Sequence, residues 1–191
     1  MKKETKKRCH WASGDDLLMQ QYHDTEWGVP VHDDRLLFEH LILDGAQAGL
    51  SWRTILYRRE GYRKAFKNFD ARKVAKFTAK DEARLLKDPG IIRNRAKIHS
   101  AVQNAKAFLI VQKEFGSFDK YLWSFVQKKK PAQRLAHYRA LPTTSPESDA
   151  MSKDLKSRGF SFVGSTILYA FMQASGMVDD HLHGCFRNKK S

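Results

Sequence analysis

Residue types able to hold a metal ion gather at the two ends of the chain. His181 and Cys185 are four positions apart, which puts both side chains on one face of a helical turn. At the other end, Cys9 stands fourteen positions before His23. Two thiols and two imidazoles make a Cys2His2 set suited to tetrahedral zinc, with no coordination position left for water. Such an ion is structural: it staples the N-terminal segment to the C-terminal one. Spacing alone leaves a second reading open, in which His10, His23, His181 and His183 are surface histidines and both cysteines are unrelated thiols. Two cysteines are too few for a disulfide scaffold.

A second group is aromatic. Trp11, Trp27 and Trp52 fall early in the chain, and Tyr22 adjoins His23. Flat rings with a polar edge suit a pocket that stacks a planar base, although each ring taken singly is accounted for by core packing. Asp44 closes the apolar run Leu41, Ile42, Leu43 and precedes the stretch from Gly45 to Trp52. A carboxylate emerging from an apolar helix is costly to bury without a partner, so Asp44 is either a site residue or a solvent-facing acid at a helix end. A third group is the stretch from Gly159 to Gly164, followed by Ser165 and Thr166. A glycine-bearing hairpin that opens a helix turns backbone N–H groups outward, where they attract phosphate, and the two hydroxyls add donors. This is either a helix-hairpin-helix element that grips a DNA backbone without reading its sequence, or a tight turn in which Gly164 only permits close packing.

The elements that must position these residues read as helices. Leu36, Leu37, Leu41, Ile42 and Leu43 form an apolar stripe from about Asp34 to Gly45. Ile98, Val102, Ala105 and Leu109 mark one face of a long helix starting near Arg93. Short helices are expected over Trp52 to Arg59, Lys73 to Phe77, Asp81 to Leu86 and Phe118 to Val126. Lys128 to Ser145, with three consecutive lysines, Pro131 and Pro142, reads as an exposed connection. Ser145 then caps a helix that has Pro146 at its first position, Met151 and Leu155 on its buried side and Gly159 as its stop. A last helix runs from about Ser165 to Ser175, stopped by Gly176. No alternating strand pattern and no repeat interrupt this, so the expected class is all-α.

Composition narrows the function. The chain has 191 residues, 41% of them hydrophobic and 12% aromatic, enough for one domain with a packed core and too many for global disorder. Residues 1–8 read as a basic extension, 9–185 as the domain and 186–191 as a tail. No apolar run is long enough to span a membrane and no secretory signal is present, which predicts a cytoplasmic protein without a membrane partner. Lys+Arg number 35 against 21 Asp+Glu, a net charge of +14. A charge of that size favours a polyanionic partner, nucleic acid first, over a basic enzyme that needs it for solubility. Arg93, Arg95, Lys97, Lys153, Lys156 and Arg158 are candidates for the nucleic-acid-facing surface.

Five spaced runs, in order, resemble those of the 3-methyladenine DNA glycosylase I family: Tyr22 to Pro30, Gln47 to Trp52, Gly90 to Arg95, Gly159 to Gly164, and His181 with Cys185. The resemblance extends from Arg8 to Cys185. It implies an all-helical, two-lobed helix-hairpin-helix glycosylase with one structural zinc on Cys9, His23, His181 and Cys185. It implies a base pocket lined by Tyr22 and Trp52, with Trp11 and Trp27 nearby, Asp44 as the catalytic carboxylate, and Gly164, Ser165 and Thr166 on DNA. The implied substrate is double-stranded DNA bearing alkylated bases, acted on by a monomer that cleaves no strand.

Two features depart from the family's pattern. Asp44 stands where the family usually carries Glu, a side chain shorter by one C–C bond, about 1.5 Å. Either the base sits deeper or a water bridges the gap. Val178, Asp179, Asp180 and His181 resemble the segment that bears a catalytic aspartate in the wider superfamily. Asp179 is read instead as a helix cap or as an acid hydrogen-bonded to a zinc-bound imidazole. Two rivals stand beside this reading: a non-catalytic, zinc-containing DNA-binding protein of the same fold, and a zinc hydrolase, which needs an open coordination position.

Overall fold

Ten α-helices, three short 3-10 helices and no strand make up the regular structure of the described residues. The computed structural model describes residues 6–126, 135 and 137–188. Side-chain caps start most of the helices. Asp16 accepts from the Met19 N–H at the start of α1 (Leu17–Thr25), and Asp33 from the Leu36 N–H at the start of α2 (Asp34–Gln47). Ser51 caps α3 (Trp52–Leu56), which is followed by α4 (Arg59–Ala65), α5 (Ala71–Val74) and α6 (Ala79–Leu85). Asn94 caps the long α7 (Arg95–Phe115), and the left-handed Gly116 ends it. After α8 (Phe118–Trp123), Ser145 and Ser148 form a capping box with Pro146 at the first position of α9 (Pro146–Ser157). The last helix is α10 (Ser165–Ala174).

The α2 helix lies at the centre. The expected apolar stripe is too narrow a description, because residues 37–46 are all buried, Glu39, His40 and Asp44 among them. The cause is tertiary: α2 packs against α3, α7, α8 and α10, so no face is left to water. Glu39 tolerates this because Arg63 donates to it from Nε at 2.9 Å and Nη2 at 2.7 Å. Leu37, Phe38, Leu41, Phe108, Val111, Phe118 and Leu122 form part of the main core around this helix.

Two helices went unpredicted, α1 and α4, and Trp52 to Arg59 is broken into α3 and the start of α4 at Tyr57–Arg58. The expected Lys73 to Phe77 helix begins earlier, at Ala71, because the Asp70 carboxylate accepts from the Arg72 and Lys73 N–H groups. The Asp81 to Leu86 helix begins at Ala79, fixed by the capping box of Thr78 and Asp81. Residues 127–134 and 136 of the expected exposed connection lie outside the described residues. Of its described part, Leu135 and Leu141 pack against a second buried cluster of Cys9, Met19, Tyr22, Trp27, Leu56, Leu182 and Cys185. The residues between and after them, His137 to Ala140, Thr143 and Thr144, are exposed as expected.

Gly176 ends the last helix and does more than stop it. Its φ is +68°, and a Cβ there would meet the Val29 carbonyl carbon at 2.3 Å. The backbones also bond at this crossing: Gly28 N–H donates to Gln173 O and Val31 N–H to Ser175 O, both at 3.0 Å. A glycine is required so that the segment after α1 can lie against the end of α10.

Candidate functional site

The second cluster brings the two chain ends together. Sγ of Cys9, Nε2 of His23, Nδ1 of His181 and Sγ of Cys185 are all buried, and the candidate ligand atoms of these four residues lie within 4.8 Å of one another. The Cys185 sulfur is 3.4 Å from His23 Nε2 and 3.7 Å from His181 Nδ1, and the Cys9 sulfur is 3.7 Å from His181 Nδ1. These separations are edges of a tetrahedron with metal bonds of about 2.0–2.3 Å. The far nitrogens point the imidazoles inward. His23 Nδ1 is 3.0 Å from Asp24 Oδ1, and His181 Nε2 is 3.1 Å from the Trp27 carbonyl oxygen. Asp24 is held in turn by Arg8 through two bonds of 2.8 Å. Burial lowers the pKa of His181 to about 4 and raises that of Cys9 to about 12. Neutral imidazoles are ready ligands, whereas a buried thiolate requires a cation beside it.

Asp179 bonds the backbone of His181 and not its imidazole. Its Oδ1 accepts from the backbone N–H of His181 at 3.2 Å, and the acid expected on a ligand ring is Asp24 instead. The neighbouring Asp180 is buried and accepts from Tyr169 Oη at 2.8 Å and Gln173 Nε2 at 2.7 Å.

Beside this cluster lies a cavity of about 540 Å³, and all five expected pocket residues line it: Trp11, Tyr22, Trp27, Asp44 and Trp52. The Tyr22 and Trp52 rings are 5.2 Å apart at 42°, and the Trp11 and Trp27 rings 5.2 Å apart at 81°. Trp27 also meets His181 edge-on at 4.7 Å, so the aromatic wall and the Cys/His cluster are packed as one unit. Each element contributes for a local reason. Tyr22 and His23 are consecutive on α1 and so point in different directions, one to the cavity and one to the cluster. Asp44 comes from the last turns of α2. Trp52 is the first residue of α3, after the turn at 48–51.

Two carboxyl groups line the cavity and their environments differ. Asp16 accepts from Met19 N–H, from Arg53 Nε at 2.5 Å and from Tyr57 Oη at 3.0 Å. The Met19 N–H, with Arg53 and Tyr57, holds its pKa below the ordinary value. Asp44 is 3% exposed, its Oδ2 has no hydrogen-bond partner, and burial alone raises its pKa well above the ordinary 3.8. Trp52 Nε1, a buried donor, is likewise unpartnered. Burial also keeps the Tyr22 phenol protonated. The cavity thus offers stacking faces, an uncommitted indole N–H and a carboxyl group that becomes a stable anion only beside a cation.

Sequence reasoning missed Asp16, Arg53 and Gln173 as cavity residues. The N-cap pattern of Asp16 before Leu17, Leu18 and Met19 was the available signal for the first. Nothing local marks the other two.

The hairpin expected at 159–164 joins α9 to α10 and is braced by α7. Asn104 Nδ2 donates to Ser161 O at 2.9 Å and its Oδ1 accepts from Ser161 N–H at 2.8 Å, while Gln103 Nε2 donates to Gly159 O at 2.7 Å. Gly164 has no atom within 4 Å of a Cβ built on it, so it is not a packing glycine. Thr166 is exposed. The Ser165 hydroxyl is taken up by Ser148 at 2.8 Å and Asp149 at 2.5 Å, which leaves mainly its backbone N–H for an anion. Two of the expected surface cations are also committed. Lys97 Nζ donates to Ala46 O at 2.8 Å and Ala48 O at 2.6 Å, closing the C-terminus of α2, and its desolvation lowers its pKa. Arg158 bonds Asp154 at 2.6 Å and Glu114 at 2.7 Å. Arg93, Arg95, Lys153 and Lys156 are exposed. Among the described residues, no helix is long and apolar enough to cross a membrane.

Comparison with known proteins places this geometry. The Methyladenine glycosylase family profile matches residues 11–188. The DNA-3-methyladenine glycosylase of Haemophilus influenzae is 48% identical over 178 residues, 93% of this chain and 96% of that protein. A crystal structure of a 3-methyladenine DNA glycosylase I superposes with a TM-score of 0.92 at 48% identity, covering 96% of this chain and 100% of that one. The Staphylococcus aureus 3-methyladenine DNA glycosylase I, solved to explain 3-methyladenine recognition, gives 0.90 at 38% identity over 95% of this chain and 96% of that one.

Proposed function

This chain belongs to the methyladenine glycosylase family, and on that premise we propose that it hydrolyses the N-glycosidic bond of 3-methyladenine in alkylated DNA. The products are the free base and an abasic site. The observation that carries the reading is Asp44: a buried, unpartnered carboxyl group in an aromatic-walled cavity is the complement of a flat base that carries positive charge.

Methylation at N3 makes the adenine cationic and an activated leaving group, so the protein needs little acid catalysis. Its work is to take the nucleotide out of the stack, hold the base and exclude competing reactions. Trp52 and Tyr22 stack on the extruded ring, with a cation–π contribution, and Trp11 and Trp27 complete the wall. Asp44 gives up its proton to solvent as the cationic base enters and, as the carboxylate, accepts a hydrogen bond from the exocyclic amine. Unmethylated adenine brings no charge to stabilise that anion and gains less from the rings, which makes selectivity a consequence of the same two contacts. No lysine stands in a nucleophile position, so the enzyme leaves the strand uncut.

We assign a structural zinc, one per chain, to Cys9, His23, His181 and Cys185. The donor set, the tetrahedral separations and the two anchored imidazoles fit it. When bound it supplies a cross-link between chain ends, which holds Trp27 and the α1 wall of the pocket in place. Duplex DNA is gripped as by a helix-hairpin-helix element, through the N–H groups that open α10 at Gly164, Ser165 and Thr166, by a monomer. Exposed Arg93, Arg95, Lys153 and Lys156 add phosphate contacts.

The test is incubation with N-methylated duplex DNA and mass spectrometry of the released bases. Release of 3-methyladenine is expected. Tight binding to the same DNA with no free base would refute the reading in favour of a non-catalytic DNA-binding protein.

A further inference from the structure

The wall that α10 gives to the cavity consists of Ala170, Gln173 and Ala174, one face of the helix at the i, i+3, i+4 spacing. Two of the three carry no polar side-chain atom, so Gln173 is the wall's polar side chain. Its carboxamide is not left to find its own orientation. Nε2 donates to Asp180 Oδ2 at 2.7 Å, and the same oxygen accepts from Tyr169 Oη at 2.8 Å. Asp180 is itself 3% exposed, out of reach of bulk water. Tyr169 Oη and Gln173 Nε2 both donate to that one oxygen, so the amide turns its NH2 group toward Asp180. That leaves the carbonyl Oε1 as the uncommitted end of a side chain that lines the pocket.

Asp44, on α2, lines the same cavity and is a second acceptor. An exocyclic amine has two N–H donors, and these two acceptors can take one each. An exocyclic carbonyl at the same place has no N–H to give either oxygen, which leaves those two acceptors unpaired. Resting on the glycosylase reading above, we propose that Gln173 is a specificity-determining residue and Asp180 its positioning residue. Together they favour a methylated purine with an exocyclic amine, 3-methyladenine, over one with a carbonyl at that place, 3-methylguanine.

Both bases form in the same methylated duplex DNA, so their excision is read in one competition assay by mass spectrometry. The Gln173→Leu variant keeps volume and removes the acceptor. It should slow 3-methyladenine release about tenfold, the effect of one hydrogen bond, and leave 3-methylguanine release unchanged or faster. The Asp180→Asn variant frees the amide to rotate and should lower the same ratio by a smaller factor, about threefold, with bound zinc and Tm followed because His181 is adjacent. A ratio unchanged from wild type in folded Gln173→Leu, or in folded Asp180→Asn should Gln173→Leu fail to fold, overturns the inference while leaving the activity intact. Wild-type protein that releases neither base overturns the activity, and this inference with it.

Discussion

Replacing Asp44 by Asn tests the pocket chemistry with almost no change in shape. The carboxyl group is 3% exposed, Oδ2 has no partner, and burial alone raises its pKa well above 3.8. In the free protein it therefore holds its proton over a window that opens at the ordinary value and closes at the raised one. A cationic base draws it to the anion. The contact then formed is a hydrogen bond to a charged group, about 1.5–3 kcal/mol, and Asn forfeits the charge. The expected loss is about 10- to 150-fold in kcat/KM for 3-methyladenine release, with DNA affinity little changed. The pH dependence gives an independent reading. Wild-type excision should rise with pH through the window and level off above it, and the Asp44→Asn variant should lack that limb. Stability runs the other way. The folded state binds the proton more tightly than the unfolded one, so the contribution of Asp44 to stability is present below 3.8 and lost as pH rises to the raised value. The stability of the variant relative to wild type should therefore increase across the same window. Single-turnover base release and thermal unfolding, each followed over pH, measure both. A variant with wild-type rates, or one that keeps the acid limb, would refute the role assigned to Asp44.

Four other outcomes are expected. Cys185→Ser should lose bound zinc and lower Tm together, and full zinc content by elemental analysis would discard this ligand set. Asp24→Ala, which frees His23 Nδ1, should weaken zinc binding about 10- to 100-fold in a competition with a chelating dye, and an unchanged affinity would count against the anchored-imidazole argument. Trp52→Ala should weaken binding of 3-methyladenine by about 1–3 kcal/mol, the contribution of one aromatic ring stacked on a base, measured by calorimetry; wild-type affinity would remove Trp52 from the pocket. Lys97→Met should lower stability by about 1–3 kcal/mol, because the Ala46 and Ala48 carbonyls lose their donor, yet leave the salt dependence of DNA binding unaltered. Substitution of Arg93 or Arg95 should instead flatten that salt slope, and identical behaviour of all three variants would contradict the division drawn between them.

The sequence by itself determined the helical class and much of its punctuation. Ser145 with Pro146, the α2 start at Asp34 and the Gly176 stop are legible because capping and termination are decided within a few neighbouring residues. The same kind of signal, an Asp before an apolar run, announced α1 at Asp16 and went unused. The types and spacing of Cys9, His23, His181 and Cys185 made a soft metal one of two open readings, and the family resemblance named Tyr22, Trp52, Trp11, Trp27 and Asp44 for the pocket. Tertiary structure decided the rest. Whether a histidine 172 positions from a cysteine lies 3.7 Å away depends on how the chain ends meet, which no local preference encodes. Burial is likewise a property of neighbours: Asp44 is closed in because α3 and α10 pack against α2, and that enclosure, not the residue type, makes its charge expensive. Lys97 and Arg158 look like DNA-facing cations in one dimension and are committed within the fold in three, because a long flexible cation bonds whichever carbonyl or carboxylate folding brings within reach.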